Sequence, residues 1–127
     1  MKTVLVTGGA GYVGSQTVLH LQAHGFRVLV FDNFSTGHRH YAALADHAFE
    51  GDMGDATAVA AAVGAEPLYG IVHCAARALV EESVRDPQMY FRENINGVLN
   101  LIDAARAAGN PPLVFSSSAT VNGEPAV

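Results

Sequence analysis

A glycine-rich run near the amino terminus combines residue types that suit phosphate binding. Residues 7–14 read Thr-Gly-Gly-Ala-Gly-Tyr-Val-Gly, so Gly8, Gly11 and Gly14 are evenly spaced and Gly9 adds an overlapping Gly-x-Gly-x-x-Gly pattern. Such glycines permit a tight turn and let the backbone approach a pyrophosphate, whose charge is stabilised at the amino end of a helix. The pattern predicts a dinucleotide site if a strand precedes it and a helix follows; otherwise a structural turn is the alternative.

An acidic residue stands where a dinucleotide site requires one. Asp32 follows the apolar run at 27–31 and lies eighteen residues after Gly14. A carboxylate at this position accepts hydrogen bonds from the adenosine ribose and repels a 2′-phosphate, which favours NAD over NADP. The alternative for an aspartate at a strand end is a cap or turn residue. Arg39 is the one nearby cation that would favour a 2′-phosphate, and we expect it to be a solvated loop charge instead.

Other residues with chemical potential give weaker patterns. Asp52 and Met53 follow a third predicted strand, where they are candidates to pair with the adenine amino group and to cover its ring, although a capping role for Asp52 is equally compatible. His20 and His24 share a helix face but lack a third metal ligand, so we predict no metal site. For Cys74 we expect a small buried apolar role rather than a nucleophilic one.

Strands and helices alternate along the chain and must position these residues. Strands are predicted at 3–7, 27–31, 48–50, 70–74 and 113–116, and helices at 12–24, 41–46, 56–63 and from Pro87 to about 108. Alternation of this kind predicts an α/β, doubly wound parallel sheet of the Rossmann type with strand order 3-2-1-4-5. We expect residues 1–127 to form one incomplete Rossmann domain, with the inward face of its first helix formed by Val13, Thr17, Val18 and Leu21.

Composition excludes several partners. The 127 residues carry a net charge of −5, which argues against nucleic acid or an anionic membrane surface as the main partner. Half of the residues are hydrophobic, yet no apolar run is long enough to cross a bilayer. The single cysteine permits no internal disulfide and favours a cytoplasmic location. The single lysine is Lys2, so these residues offer no catalytic lysine beyond the first strand.

Several further segments resemble the amino-terminal part of UDP-glucose 4-epimerases, within the extended short-chain dehydrogenase/reductase family. The matching segments are residues 4–15, 32–37, 50–52, 72–76, 82–87, 94–97 and 115–121. The resemblance implies that NAD takes a hydride from C4 of a UDP-sugar and returns it to the opposite face. It also implies a set of cofactor contacts, which comprises Gly8, Gly11, Tyr12, Val13, Gly14, Asp32, Asn33, Ser35, Thr36, Gly37, Asp52, Met53, Cys74, Ala75 and Ala76.

The same resemblance implies substrate contacts but leaves the catalytic base unassigned. Ser118 corresponds to the serine that binds the reacting sugar hydroxyl, and Thr120 would lie beside the sugar. The family's Tyr-x-x-x-Lys base has no counterpart here, because none of the four tyrosines is followed by lysine four residues later. We therefore expect no activity from these residues alone, and UDP-sugar binding only when the remaining region is supplied.

Three alternatives stay open beside an epimerase fragment. The chain is also compatible with a stand-alone NAD-binding module, with a self-associating α/β unit, and with a fragment of another sugar-nucleotide epimerase or dehydratase. We expect a homo-oligomer because the helix predicted at 90–108 carries more apolar residues than one sheet contact requires. These residues are Ile95, Val98, Leu99, Leu101, Ile102, Ala104, Ala105 and Ala108.

Overall fold

A computed structural model describes residues 1–35, 38–75 and 84–116. Within these ranges the strands are β1 (Thr3–Thr7), β2 (Arg27–Asp32), β3 (His47–Glu50), β4 (Gly70–His73) and β5 (Leu113–Phe115). The helices are α1 (Tyr12–Ala23), α2 (Arg39–Ala42), α3 (Ala56–Val63), α4 (Pro87–Phe91) and α5 (Gly97–Ala107), with a π-helical turn (Arg92–Asn96) between the last two.

The strands of the described part form one parallel sheet, in the order β3-β2-β1-β4-β5. This order confirms the predicted doubly wound α/β architecture. Every residue of β1 is buried, as expected of a central parallel strand with helices on both faces. Because all strands are parallel, their carboxyl ends meet at one edge of the sheet, and the loops after β1, β2 and β4 are therefore neighbours.

Alternate residues of the central strands fill two separate cores. Leu5, Leu29 and Ile71 point to the face covered by α3 and α5, where they pack with Leu101 and Val59. The intervening valines point to the opposite face, where α1 contributes Val18; they are Val4, Val6, Val28 and Val30. The strict alternation fixes the register, since a slip of one residue would exchange the two cores.

The inward face of α1 differs from the prediction at one position. Val13 is 55% exposed, whereas Gly14, Ser15 and Val18 are buried. The cause is close packing of the helix on the loop before it: a Cβ at Gly14 would lie 2.0 Å from the carbonyl oxygen of Gly8. The helix therefore turns Gly14 inward and Val13 outward. The inclusion of Val13 in the buried face was wrong.

Two helix predictions also need correction. The helix predicted at 41–46 is α2 at Arg39–Ala42. The residues after it do not continue the helix, because Asp46 binds the edge of β2, where its carboxylate accepts from the Val28 amide at 2.8 Å. The helix predicted without interruption from Pro87 contains the π turn. The residue after that turn, Gly97, packs where its Cβ would lie 2.8 Å from the Cβ of Met53.

Candidate nucleotide-binding site

The candidate site begins where β1 passes into α1 at the carboxyl edge of the sheet. The Gly8 amide donates to the Phe31 carbonyl at 2.7 Å, and the Gly11 amide donates to the Gly8 carbonyl at 3.1 Å, which forms a tight turn. Gly11 then caps α1 without a side chain, and Tyr12 and Val13 are exposed in its first turn. The first-turn amides and the positive end of the helix dipole are thus available to an anion.

The four glycines of this loop serve different purposes. Gly8 adopts a φ of +72° and a Cβ there would lie 2.7 Å from the Ala75 nitrogen, while a Cβ at Gly9 would lie 2.4 Å from a methyl of Val30. Gly14 is packed on Gly8, as described above. At Gly11 the nearest atom to a Cβ would be 3.4 Å away, an ordinary contact. The chain's own packing therefore requires glycine at three positions but not at Gly11, whose lack of a side chain leaves room for a ligand.

Asp32 joins the two loops that would enclose an adenosine. The residue is 8% exposed; one carboxylate oxygen accepts from the Ala10 amide at 3.0 Å and the other from the Phe34 amide at 2.8 Å. The second bond stabilises Phe34 in a left-handed conformation, with φ of 60°. A carboxylate has about four acceptor positions, so two remain for ribose hydroxyls.

Asn33 and Asp52 connect the loops after β2 and β3. The Asn33 amide donates to the Asp52 carboxylate at 2.9 Å, and the Asn33 oxygen accepts from the Ser35 amide at 3.0 Å. Asp52 does not cap α3, since Asp55 does so by accepting from the amides of two residues in the first turn. The capping alternative for Asp52 is therefore removed.

Met53 occupies a different environment from its neighbour. The residue is 6% exposed and belongs to the core formed with α3 and α5, and its carbonyl accepts from the side-chain amide of Asn100 at 2.8 Å. The structure thus places the Met53 side chain in the core, and only its backbone is left to contact a base. Asp52 presents its carboxylate at the exposed surface.

Thr7 and His73 form a buried polar centre that the sequence reasoning missed. They end β1 and β4, pair in register, and are 1% and 3% exposed. The Thr7 hydroxyl and His73 Nδ1 are 2.6 Å apart, and the same hydroxyl oxygen accepts from the amides of Cys74 at 3.2 Å and Ala75 at 3.3 Å. The available signal was positional: each is a polar residue that directly follows an apolar run at the end of a buried strand.

Burial decides the charge states at this centre. It lowers the pKa of His73, so the imidazole is neutral near pH 7. Because the Thr7 oxygen already receives two amide protons, its own proton is free to be donated to Nδ1, which places the imidazole proton on Nε2. Burial raises the pKa of the Cys74 thiol, against a smaller opposing effect of a hydrogen bond with Thr17, and this supports the apolar role expected for Cys74.

The remaining predicted residues fall into three groups. Arg39 begins α2 rather than lying in a loop, and its side chain is solvated at 68% exposure but also forms an ion pair with Glu50 at 2.6 Å. The rings of His20 and His24 are tilted by 42° with their centroids 4.4 Å apart, and the described residues contain no cluster of three or more metal-ligating side chains. Predicted contacts that lie outside the described residues are Thr36, Gly37, Ala76, Ser118 and Thr120.

Comparison with known families agrees with this arrangement. Residues 4–127 match the model of the NAD dependent epimerase/dehydratase family. The chain belongs to this family. Because this family is NAD dependent, the prediction of NAD as cofactor is confirmed. The predicted resemblance to UDP-glucose 4-epimerases is confirmed by the relatives described next.

Individual members of the family show how much of the chain is shared. UDP-glucose 4-epimerase of Corynebacterium glutamicum is 47% identical over 124 residues, which are 98% of this chain and 37% of that protein. The Brucella ovis UDP-glucose 4-epimerase in complex with NAD superposes with a TM-score of 0.90 at 38% identity, over 100% of this chain and 39% of that one. The Bifidobacterium longum enzyme in complex with NAD⁺ and UDP gives 0.87 at 29% identity, over 96% and 38%.

These family members are thus matched over somewhat more than a third of their own length, from 37% to 39%. The part they share with this chain contains the sheet and the glycine loop. Among the described helices, none is long and apolar enough to cross a membrane.

Proposed function

We propose that this chain is the NAD-binding region of a UDP-glucose 4-epimerase. The observation that carries the proposal is the unfilled position at Gly11, at the amino end of α1 and on the same edge of the sheet as the Asp32 carboxylate. A pyrophosphate at Gly11 and a ribose at Asp32 are the two ends that a dinucleotide site of this fold must hold. Relatives described as UDP-glucose 4-epimerases, one of them solved with NAD, support the choice of cofactor and reaction.

Most of the predicted contacts have a role in this proposal, whereas the Met53 side chain has none because it lies in the core. The amides of Tyr12 and Val13 bind the pyrophosphate, and Asp32 accepts from the ribose hydroxyls. Asn33 and Asp52, already joined to each other, present polar atoms to the adenosine, and Ser35, Thr36 and Gly37 are proposed as further contacts. Cys74, Ala75 and Ala76 line the nicotinamide side, where bound NAD would accept and return a hydride.

Epimerisation itself requires groups that these 127 residues do not supply. None of the four tyrosines precedes a lysine by four positions, so we propose that the chain alone does not interconvert UDP-glucose and UDP-galactose. Ser118 and Thr120 are proposed to contact the sugar when the remaining region of such an enzyme is present. On this proposal residues 1–127 are an incomplete domain that acts in the cytoplasm, and the reaction belongs to the complete protein.

Calorimetric titration with NAD and with NADP tests the proposal directly. NAD should bind, and NADP should bind at least about tenfold more weakly, because Asp32 would face its 2′-phosphate. A coupled assay for UDP-galactose conversion should show no turnover above a blank with cofactor alone. Failure to bind NAD, or a preference for NADP, would contradict the assignment of this site.

A second candidate function, self-association, is favoured by a separate observation. Phe91, Ile95, Leu99 and Ile102 form an apolar stripe along α4, the π turn and α5, and they are 64%, 49%, 54% and 40% exposed. The inward residues of α5 are others, among them Leu101 and Ala105, so this helix carries more apolar side chains than its inward face uses. Exposed stripes of this length favour contact with a second copy.

A further inference from the structure

Arg39 is held beside the ribose end of the site by two contacts. Its guanidinium forms two hydrogen bonds with Glu50, at 2.6 and 3.2 Å, and lies over the ring of Phe34 at 4.5 Å from the centroid. Planar, two-point contact of this kind is the strongest geometry for an arginine and a carboxylate. The contact raises the pKa of Arg39 and lowers that of Glu50, so both groups are charged near pH 7.

The partner of Arg39 lies directly next to Asp32. Glu50 ends β3 and pairs in register with Asp32 at the end of β2, and neighbouring strands are about 5 Å apart. Asp32 also fixes the Phe34 amide, which places the ring beneath the guanidinium. A ribose that binds Asp32 would therefore have the Arg39–Glu50 pair as a neighbour.

A free arginine at this position would favour the wrong cofactor. In dinucleotide-binding folds, an arginine near the end of the second strand accommodates the 2′-phosphate of NADP. Here Glu50 occupies the two-point face of the guanidinium that a phosphate would use, and adds a negative charge of its own. Both effects disfavour a 2′-phosphate.

We propose that Glu50 is a specificity-determining residue, which reinforces Asp32 by keeping Arg39 from serving a 2′-phosphate. The inference rests on the proposed NAD-binding function and deepens it. It also assigns Arg39 a definite role: the residue is present near the ribose, but its binding face is occupied.

The chain offers a matched control at the opposite end of β2. Arg27 pairs with Glu66 at 2.9 Å, with side chains 38% and 30% exposed. Arg27 begins β2 and Asp32 ends it, so the control pair lies about 16 Å from the site. Glu66→Gln also removes one negative charge from an arginine–glutamate pair. Comparison with this variant therefore separates the effect of net charge from the effect of the Glu50 position.

The test is calorimetric titration of the 127-residue chain with NAD and NADP at pH 8 and low salt. Glu50→Gln should raise the affinity for NADP relative to NAD by about threefold or more, given the modest strength of exposed pairs. Glu50→Gln/Arg39→Ala should lose the gain, and Glu66→Gln should leave the ratio unchanged. The same variants are also compared in an Asp32→Asn background. Loss of the Asp32 charge should strengthen NADP binding enough for its affinity to be measured.

Three outcomes would overturn the inference. An NADP-to-NAD ratio that Glu50→Gln leaves unchanged in both backgrounds would show that Glu50 does not contribute. Weaker NADP binding by Arg39→Ala alone would show that Arg39 already serves the phosphate. Absence of NAD binding by the unmodified chain would overturn the proposed function, and this inference with it. Thermal unfolding of each variant, followed by circular dichroism, verifies that the folded state is compared throughout.

Discussion

Thr7 and His73 share a 2.6 Å hydrogen bond between the ends of two adjacent parallel strands. The Thr7 hydroxyl also accepts the amides at the start of the loop after β4. One hydroxyl therefore ties that loop to the glycine loop, and Gly8 lies against the same backbone near Ala75. The two loops of the proposed site that approach the nicotinamide and the pyrophosphate are thus held as one unit by buried contacts of the chain itself.

Removing the Thr7 hydroxyl should destabilise the fold. Thr7→Val keeps the shape of the side chain but leaves the Ala75 amide and His73 Nδ1 without this partner, and each such loss costs about 1–3 kcal/mol. We expect the free energy of unfolding in urea to fall by about 2 kcal/mol or more. Thr7→Ser retains the hydroxyl and is the control, with an expected loss within about 1 kcal/mol. Equal effects of Val and Ser would show that the hydroxyl does not matter.

The same added methyl group should affect NAD affinity at Gly11 and the stability of the fold at Gly14. Gly11→Ala meets only an ordinary contact at 3.4 Å, so stability should change by no more than about 1 kcal/mol, while NAD affinity should fall about tenfold or more. Gly14→Ala would place its Cβ 2.0 Å from a backbone oxygen, so it should destabilise the chain by about 3 kcal/mol or more. Calorimetry and urea unfolding separate the two effects. Unchanged NAD binding by Gly11→Ala would argue against a pyrophosphate at this turn.

The free energy of unfolding should decrease as the pH falls below the pKa of a free histidine side chain. The pKa of His73 is lowered from 6.5 by burial, so the unfolded chain binds more protons than the folded one between the two pKa values. Stability is full above about pH 6.5 and declines below it, with a slope of at most about 1.4 kcal/mol per pH unit.

Urea unfolding between pH 7.5 and 5.5 measures this slope, and His73→Asn should flatten it. The range stays above the one in which Glu50 and Glu66 contribute, because arginine partners lower the pKa of both carboxyls from 4.5. Identical slopes for His73→Asn and the unmodified chain would assign the pH dependence to another group.

The apolar stripe on α4, the π turn and α5 should control self-association. Leu99→Glu places a charge in the centre of the stripe, and we expect it to convert a dimer to a monomer at tens of micromolar, as measured by light scattering across a dilution series. Leu19→Glu is the control, because Leu19 is exposed to a similar degree, 43%, but lies on α1. If the unmodified chain is a monomer at these concentrations and unfolds cooperatively, the proposed association is wrong.

The sequence was sufficient for the parts of the fold that depend on local pattern. Apolar β-branched runs bounded by glycine gave the strands, and their alternation with helices gave the strand order. Asp32 was identifiable because its spacing from the glycine loop reflects a fixed strand–helix–strand length. The helix end at Ala107 was also accessible, since Gly109 adopts a φ of +92° there.

The differences from the prediction arise from packing that the local sequence pattern does not encode. Val13 points outward because Gly14 packs on Gly8. The π turn was not predicted because one extra residue in a single helical turn leaves the composition of the helix unchanged. The ion pair of Arg39 was not predicted because its partner, Glu50, lies on β3, eleven residues later. Thr7 and His73, 66 residues apart, meet only through the parallel pairing of β1 with β4.

The unequal packing of the four loop glycines bears on how such a motif changes over generations. Gly8, Gly9 and Gly14 are each required by neighbouring backbone or side-chain atoms of the same chain. A descendant that no longer met a nucleotide would still be selected to retain them, since without them its sheet and first helix could not pack. Gly11 would be released from selection and free to vary. The bare motif therefore records ancestry, and the residue at position 11 is the one that reports whether binding is still under selection.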